Sequence, residues 1–156
     1  MTYEIKNWAG PIAAFDPAEL ADRMAVLQLV KVYALGVDMH DYDLSRSVFA
    51  DGAEMSGAAG SASVDDYLPK VWGGAQVYAA TQHNITNQHL ELNGDEARVL
   101  SYAIAVHKAK PGSDMGNLTM GVQYRDWCRR TDKGWLITRR EAVAQWTETS
   151  PAPPAA

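Results

Sequence analysis

HNITNQHLELNGDEARVLSYAIAVHKA, residues 83–109, is the stretch whose reading decides the fold. Two strand-like runs, 83–92 and 97–109, flank Asn93-Gly94-Asp95, where asparagine and glycine tolerate the positive backbone angles of a tight hairpin. The pattern recurs downstream, with runs 118–130 and 135–146 flanking Asp132-Lys133-Gly134. Short turns can join antiparallel neighbours, whereas parallel ones need a long crossover, so the C-terminal half reads as an antiparallel meander. The polar segment Lys110-Pro111-Gly112-Ser113-Asp114 is the loop between two of its strands.

Upstream the periodicity changes. Leu20, Met24, Leu27, Val30 and Tyr33 recur at spacings of three and four, which predicts a helix from Pro17 to about Gly36 with Asp16 as its cap. A shorter helix fits 41–49, capped by Asp41 or Asp43, with Leu44, Val48 and Phe49 on its apolar side. Asp51-Gly52 reads as a turn. After the small-residue stretch 56–61, Ser63 caps a third helix through Asp65, Asp66, Leu68, Val71 and Trp72, which Gly73-Gly74 weakens or ends. Helices followed by long strands define an α+β class rather than alternating βαβ units. The chain is expected to be a single domain, 1–156, with its core at about 17–147 and a loose Pro/Ala tail at 148–156.

Composition narrows the function. At 156 residues and 47% hydrophobic content, the chain is long enough to enclose a core and a ligand-sized cavity. A net charge of -5 with scattered basic residues argues against nucleic acid as a partner, because neutralising phosphates needs clustered Lys and Arg. No apolar run approaches the length of a membrane-spanning helix, and MTYEIKNWAG has no basic segment followed by an apolar one. A cytoplasmic protein without membrane contact is therefore expected. Cys128, the one cysteine, cannot form an internal disulfide and reads as a small strand residue. The histidines lack the close pairing of zinc ligands, so no metal is expected.

Several segments carry a resemblance. They are Tyr33-Ala34-Leu35-Gly36-Val37-Asp38 with Asp41-Tyr42-Asp43, Val48-Phe49-Ala50-Asp51-Gly52-Ala53, Thr81-Gln82-His83-Asn84-Ile85-Thr86-Asn87 and Asn93-Gly94-Asp95-Glu96-Ala97. Tyr124-Arg125-Asp126 and Gly134-Trp135-Leu136-Ile137-Thr138-Arg139-Arg140 complete the set. In order and spacing the chain resembles the SnoaL-like branch of the nuclear transport factor 2-like superfamily over roughly 20–146. That group includes ketosteroid isomerases, scytalone dehydratase and bile-acid dehydratases. The resemblance implies a cone-shaped α+β barrel: N-terminal helices on a strongly curved, mainly antiparallel sheet enclosing an apolar pocket. It further implies that Tyr33 and Asp38 enter the pocket from the first helix, His83 from the first long strand and His107 from its neighbour. Arg140 matches an arginine that bile-acid dehydratases place near substrate. Adjacent Arg139 lies on the opposite strand face, and the sequence leaves open which of the two points inward.

Read as residues, Asp38, His83 and His107 suit proton transfer, since imidazole exchanges protons near neutral pH and a carboxylate fixes its tautomer. A histidine near a strand end is, taken alone, more often a hydrogen-bonded structural residue. Asp38 could cap the following helix, yet Asp41 and Asp43 are available for that, which frees Asp38 to orient His83. His107 shares its strand phase with the small Ala103 and Ala105, which leave room for a ligand. Tyr33 reads either as a core phenol or as a hydroxyl polarising a substrate oxygen. Asn87 follows His83 at even spacing and could supply an amide to the same face. Phe49, Trp72, Tyr102, Met120 and Tyr124 are candidates for lining the cavity, as are Tyr78, Met115, Trp127 and Trp146. His40 and His89 are assigned to a loop and to the outer sheet or a subunit contact, and neither is given a chemical role.

The resulting expectation is a cofactor-independent lyase, a dehydratase acting on a small cyclic or aromatic hydroxy-carbonyl compound. An isomerase, a polyketide-type cyclase and a non-catalytic binding or assembly module are the alternatives. The outer strand faces carry Leu, Val and Trp, so a homodimer or homotrimer is expected.

Overall fold

A computed structural model describes residues 16–155, and a cap sets its first element. Asp16 Oδ1 accepts from Ala18 N at 2.9 Å, and Pro17 begins a 3-10 turn, Pro17–Glu19, that runs into helix α1, Leu20–Asp38. The buried stripe of α1 is Val26, Val30, Tyr33 and Val37, at spacings of four, three and four. Leu20 and Met24, expected on that stripe, are 52% and 66% exposed. The period was read correctly there, and the phase of the first two turns was not.

Helix α2, Tyr42–Arg46, is shorter than the expected 41–49. Asp41 caps it by accepting from Leu44 N at 2.9 Å, and buried Val48 and Phe49 belong instead to the approach and start of strand β1, Phe49–Gly57. Asp51-Gly52 is not a turn between elements. It is an irregularity within β1, where Gly52 takes φ +72 and the register shifts between Phe49 and Glu54. The small-residue stretch also proves structured: β1 hairpins onto β2, Gly60–Ser63, with Gly57 opposite Gly60. Ser63 then caps α3, Val64–Gln76, accepting from Asp66 N. Gly73 and Gly74 do not end that helix.

The remaining strands are β3 Ala80–Asn93, β4 Glu96–Lys108, β5 Asn117–Thr131 and β6 Gly134–Ser150. With β1 and β2 they form one six-stranded sheet of order β2-β1-β6-β5-β4-β3. The meander β3 to β6 is antiparallel as predicted, while β1 joins β6 in parallel, so the sheet is mixed. It does not close into a barrel: β2 and β3 remain as edges. Helix α1 packs on β3 and β6, and α3 packs on β1. The core between the layers holds Val26, Val30, Phe49, Met55, Leu68 and Ile137. The C-terminal residues are less loose than expected, since β6 continues to Ser150 and Pro151 O accepts from Asn117 Nδ2 at 2.9 Å. Among the described residues no helix is long and apolar enough to cross a membrane.

Candidate active site

Asp38 is the last residue of α1, and its carboxylate meets edge strand β3. Oδ2 accepts from the backbone N of His83 at 2.7 Å, and Oδ1 lies 2.7 Å from His83 Nδ1. Oδ1 also accepts from Thr81 Oγ1 at 2.9 Å. An edge strand leaves some backbone N–H groups without a ladder partner, and here the acid at the helix end satisfies one of them. Burial pushes the Asp38 carboxyl up, but the hydrogen bonds from the His83 ring and backbone outweigh it. With His83's charge and Thr81 adding to them, the group sits below its ordinary range. An ionised carboxylate only accepts, so in the neutral form of the ring Nδ1 carries the hydrogen and Nε2 the lone pair. The His83 side chain is 7% exposed and that of Asp38 22%.

His107 stands beside this pair, its ring edge-on to that of His83 with centroids 5.6 Å apart. The strand pairing brings them close, since Thr81 lies opposite His107 and His83 opposite Ala105, which puts His83 and His107 on one face. Burial, and then the charge of His83, holds the His107 imidazole below its ordinary value. Its Nδ1 is buried without a hydrogen-bond partner. On its other side the ring of Tyr78 packs at 4.9 Å.

A second cluster lies deeper. Arg140 is fully buried, and its Nε and Nη2 each donate at 2.7 Å to the two oxygens of Asp126. The guanidinium sits 4.3 Å from the Tyr33 ring centroid, 4.8 Å from that of Tyr124 and 5.2 Å from that of Phe49. This is a two-pronged ion pair inside an aromatic cage, with Nη1 left without a partner. Burial pushes the Tyr33 and Tyr124 hydroxyls up. The Arg139/Arg140 ambiguity is thereby resolved: Arg140 faces inward, and Arg139 lies outside, 46% exposed, bonded to Glu141 and stacked on Trp127.

The other expected residues scatter. Asn87 is exposed, because the register of β3 shifts between Ile85 and Gln88 and even spacing from His83 no longer keeps one face. Tyr102 is 36% exposed on the face of β4 opposite that of Ala103. Trp72 packs edge-on against Tyr42 with its indole nitrogen buried and unpartnered. Met120 is half-buried against the core. His40 lies in the exposed turn after α1, and His89 lies on β3 with its ring against Tyr102.

Two cavities bear on ligand binding, and neither is walled by Asp38 or His83. One, of about 340 Å³, lies at the β3–β4 hairpin among Glu91, Arg98, Trp127, Arg129 and Thr138. The other, of about 550 Å³, is bounded by Tyr78, Met115, Asn117, Leu118, Ser150 and Pro151, so it begins at the ring that packs on His107. Thr81 and Asp126 were quoted in the resembling segments without a role. Thr81 shares the period-two face of His83, and Asp126 is the register partner of Arg140. Among the described residues no cluster of His, Cys, Asp and Glu could hold a metal ion.

An α+β fold whose first helix delivers a carboxylate to a histidine on the sheet defines the class to which comparison then gives a family. The sequence profile of the SnoaL-like domain matches residues 18–141, and the chain belongs to that family. An uncharacterised protein of Mycobacterium tuberculosis is 30% identical over 131 residues, covering 79% of this chain and 85% of that protein. Among solved structures, a candidate scytalone dehydratase from Novosphingobium aromaticivorans is 22% identical with a TM-score of 0.73, covering 87% of this chain and 94% of that one. A hexachlorocyclohexane dehydrochlorinase from Novosphingobium barchaimii is 18% identical with a TM-score of 0.73, covering 85% and 92%.

Proposed function

We propose that the protein is a cofactor-independent lyase that removes water from a small cyclic or aromatic hydroxy-carbonyl compound, with His83 as the base. The two-point hold of Asp38 on His83 carries this reading, because it fixes which ring nitrogen bears the lone pair. Nε2 takes the proton from the carbon beside the carbonyl. That carbon's electron pair forms the new double bond, the hydroxyl leaves from the next carbon, and the abstracted proton departs with it as water. His107, whose charged form burial disfavours, is an N–H donor to the leaving oxygen rather than a store of a proton. Tyr33, and Arg140 through its unpartnered Nη1, supply donors for the developing oxyanion. The names of two similar structures support the class, since dehydratase and dehydrochlorinase both denote eliminations.

The same proposal makes the protein a cytoplasmic homodimer or homotrimer. Tyr102 and Ile104 on β4 and Trp146 on β6, exposed on either side of Gly121 of β5, form the apolar surface that a second copy would cover. Light scattering at micromolar concentration tests that part, and a monomer overturns it.

The catalytic reading is tested by incubating the protein with a panel of hydroxy-ketones and hydroxylated ring compounds and weighing the products. Loss of one water that disappears in a folded His83→Ala variant is the expected result. A product of unchanged mass, or full turnover by that variant, overturns it.

A further inference from the structure

The elimination reading needs a place for the bulk of the substrate, and the deep interior is occupied by the caged Arg140. The larger of the two cavities begins instead at Tyr78, whose ring packs on His107. We propose that it binds an uncharged ring or other apolar body of the substrate, with Tyr78 joining that recognition site to the histidines.

Four observations carry this. The volume of about 550 Å³ falls within the range of roughly 300–1,000 Å³ typical of small-molecule sites. No charged side chain bounds it; its apolar surface comes from Tyr78, Met115, Leu118 and Pro151. Its one amide side chain is already committed: Asn117 Oδ1 accepts from Ala109 N at 3.0 Å, and Nδ2 donates to Ser150 Oγ at 3.1 Å and Pro151 O at 2.9 Å. These bonds knit the β4–β5 loop to the C-terminal residues, as does Gly112 N donating to Pro153 O at 2.9 Å. Finally, the ring of Tyr78 touches that of His107, whose buried Nδ1 lacks a partner. A guest with an uncharged, apolar body answers both the uncharged wall and the Tyr78 ring.

The competing cavity has the opposite chemistry, with Glu91, Arg98 and Arg129 in its wall. It also lies at the wrong end of the hairpin. It includes Asn93 and Glu96, paired at the β3–β4 turn, while Thr81 and His107 pair at the far end of the same ladder.

The test titrates the full chain with 2-naphthol, an uncharged fused ring with one hydroxyl, and with its carboxylated counterpart 6-hydroxy-2-naphthoate, following assigned NMR signals. Expected are shifts at Tyr78, Met115 and Leu118, with the carboxylate weaker by about tenfold or more. Met115→Trp, on the loop, and Leu118→Gln, which places an amide in the apolar wall, should each weaken 2-naphthol by about tenfold or more. No binding, shifts centred on Trp127 and Arg98, equal affinity for the carboxylate, or unchanged affinity in both folded wall variants would overturn the proposal. If no compound in the panel loses water, the elimination reading fails while this titration still decides the site.

Discussion

Asp38 joins His83 through both oxygens of one carboxylate, 2.7 Å to the ring nitrogen and 2.7 Å to the backbone nitrogen. The group that sets the imidazole tautomer also holds the strand that carries the imidazole. A helix end and an unpaired strand edge are thus coupled through one side chain.

Asp38→Asn tests that coupling, because the amide keeps one acceptor and turns the other into a donor facing the N–H groups of His83. Turnover should fall by about 10²–10⁴-fold with little change in KM. Steady-state kinetics on a folded variant decides, and equal losses in binding and turnover would mean that Asp38 mainly shapes the site.

His107 gives a pH signature. Its folded pKa lies below the ordinary value of 6.5, so below that pH the unfolded chain binds more protons. The stabilisation is full above 6.5 and is lost as the pH falls through the folded pKa. His107→Gln should therefore flatten the decline in stability on the acid side of 6.5, read by urea denaturation at stepped pH. An unchanged slope would place the titration elsewhere.

Much of the meander was legible because Asn93-Gly94 and Asp132-Lys133-Gly134 name their own turns, and Gly94 and Gly134 indeed take positive φ. Asp38 and His83 were legible because one ends a helical period and the other heads a strand-like run, although β3 itself begins three residues earlier, at Ala80. The β1–β2 hairpin was not, since Ser56 to Ser61 lacks the branched and aromatic residues that mark strands. Nor was the parallel pairing of β1 with β6, a long-range contact with no local trace. Asn87 failed because a bulge shifts the period-two count without any sequence mark. The partners Thr81 and Asp126 needed the register itself.

Gly36 sits where α1 is pressed against α2. A Cβ there would overlap Ser45 Oγ and lie 2.6 Å from Ser45 N and 2.9 Å from Asp41 O. Two of those atoms are backbone, so the elements must part. Gly36→Ala should destabilise by about 1–3 kcal/mol, as overpacking does, despite alanine's better helix propensity. Asp38 lies two residues on, so turnover should fall as well. Thermal melts and kinetics on one sample check both, and a more stable variant would contradict the packing.

The Arg140–Asp126 pair poses the last question, whether its buried charge serves the cage or the chemistry. Asp126→Asn strands a guanidinium inside Tyr33, Phe49 and Tyr124, and breaking one side of a buried pair costs about 3–5 kcal/mol. The double variant Arg140→Met, Asp126→Leu removes both charges and should be nearer the parent in stability than Asp126→Asn. Its turnover separates the two roles. A folded double variant with unimpaired activity would assign Arg140 to structure alone. Loss of turnover at retained stability fits the unpartnered Nη1 acting on substrate oxygen. Urea denaturation of the single and double variants, paired with the product assay, supplies both readings.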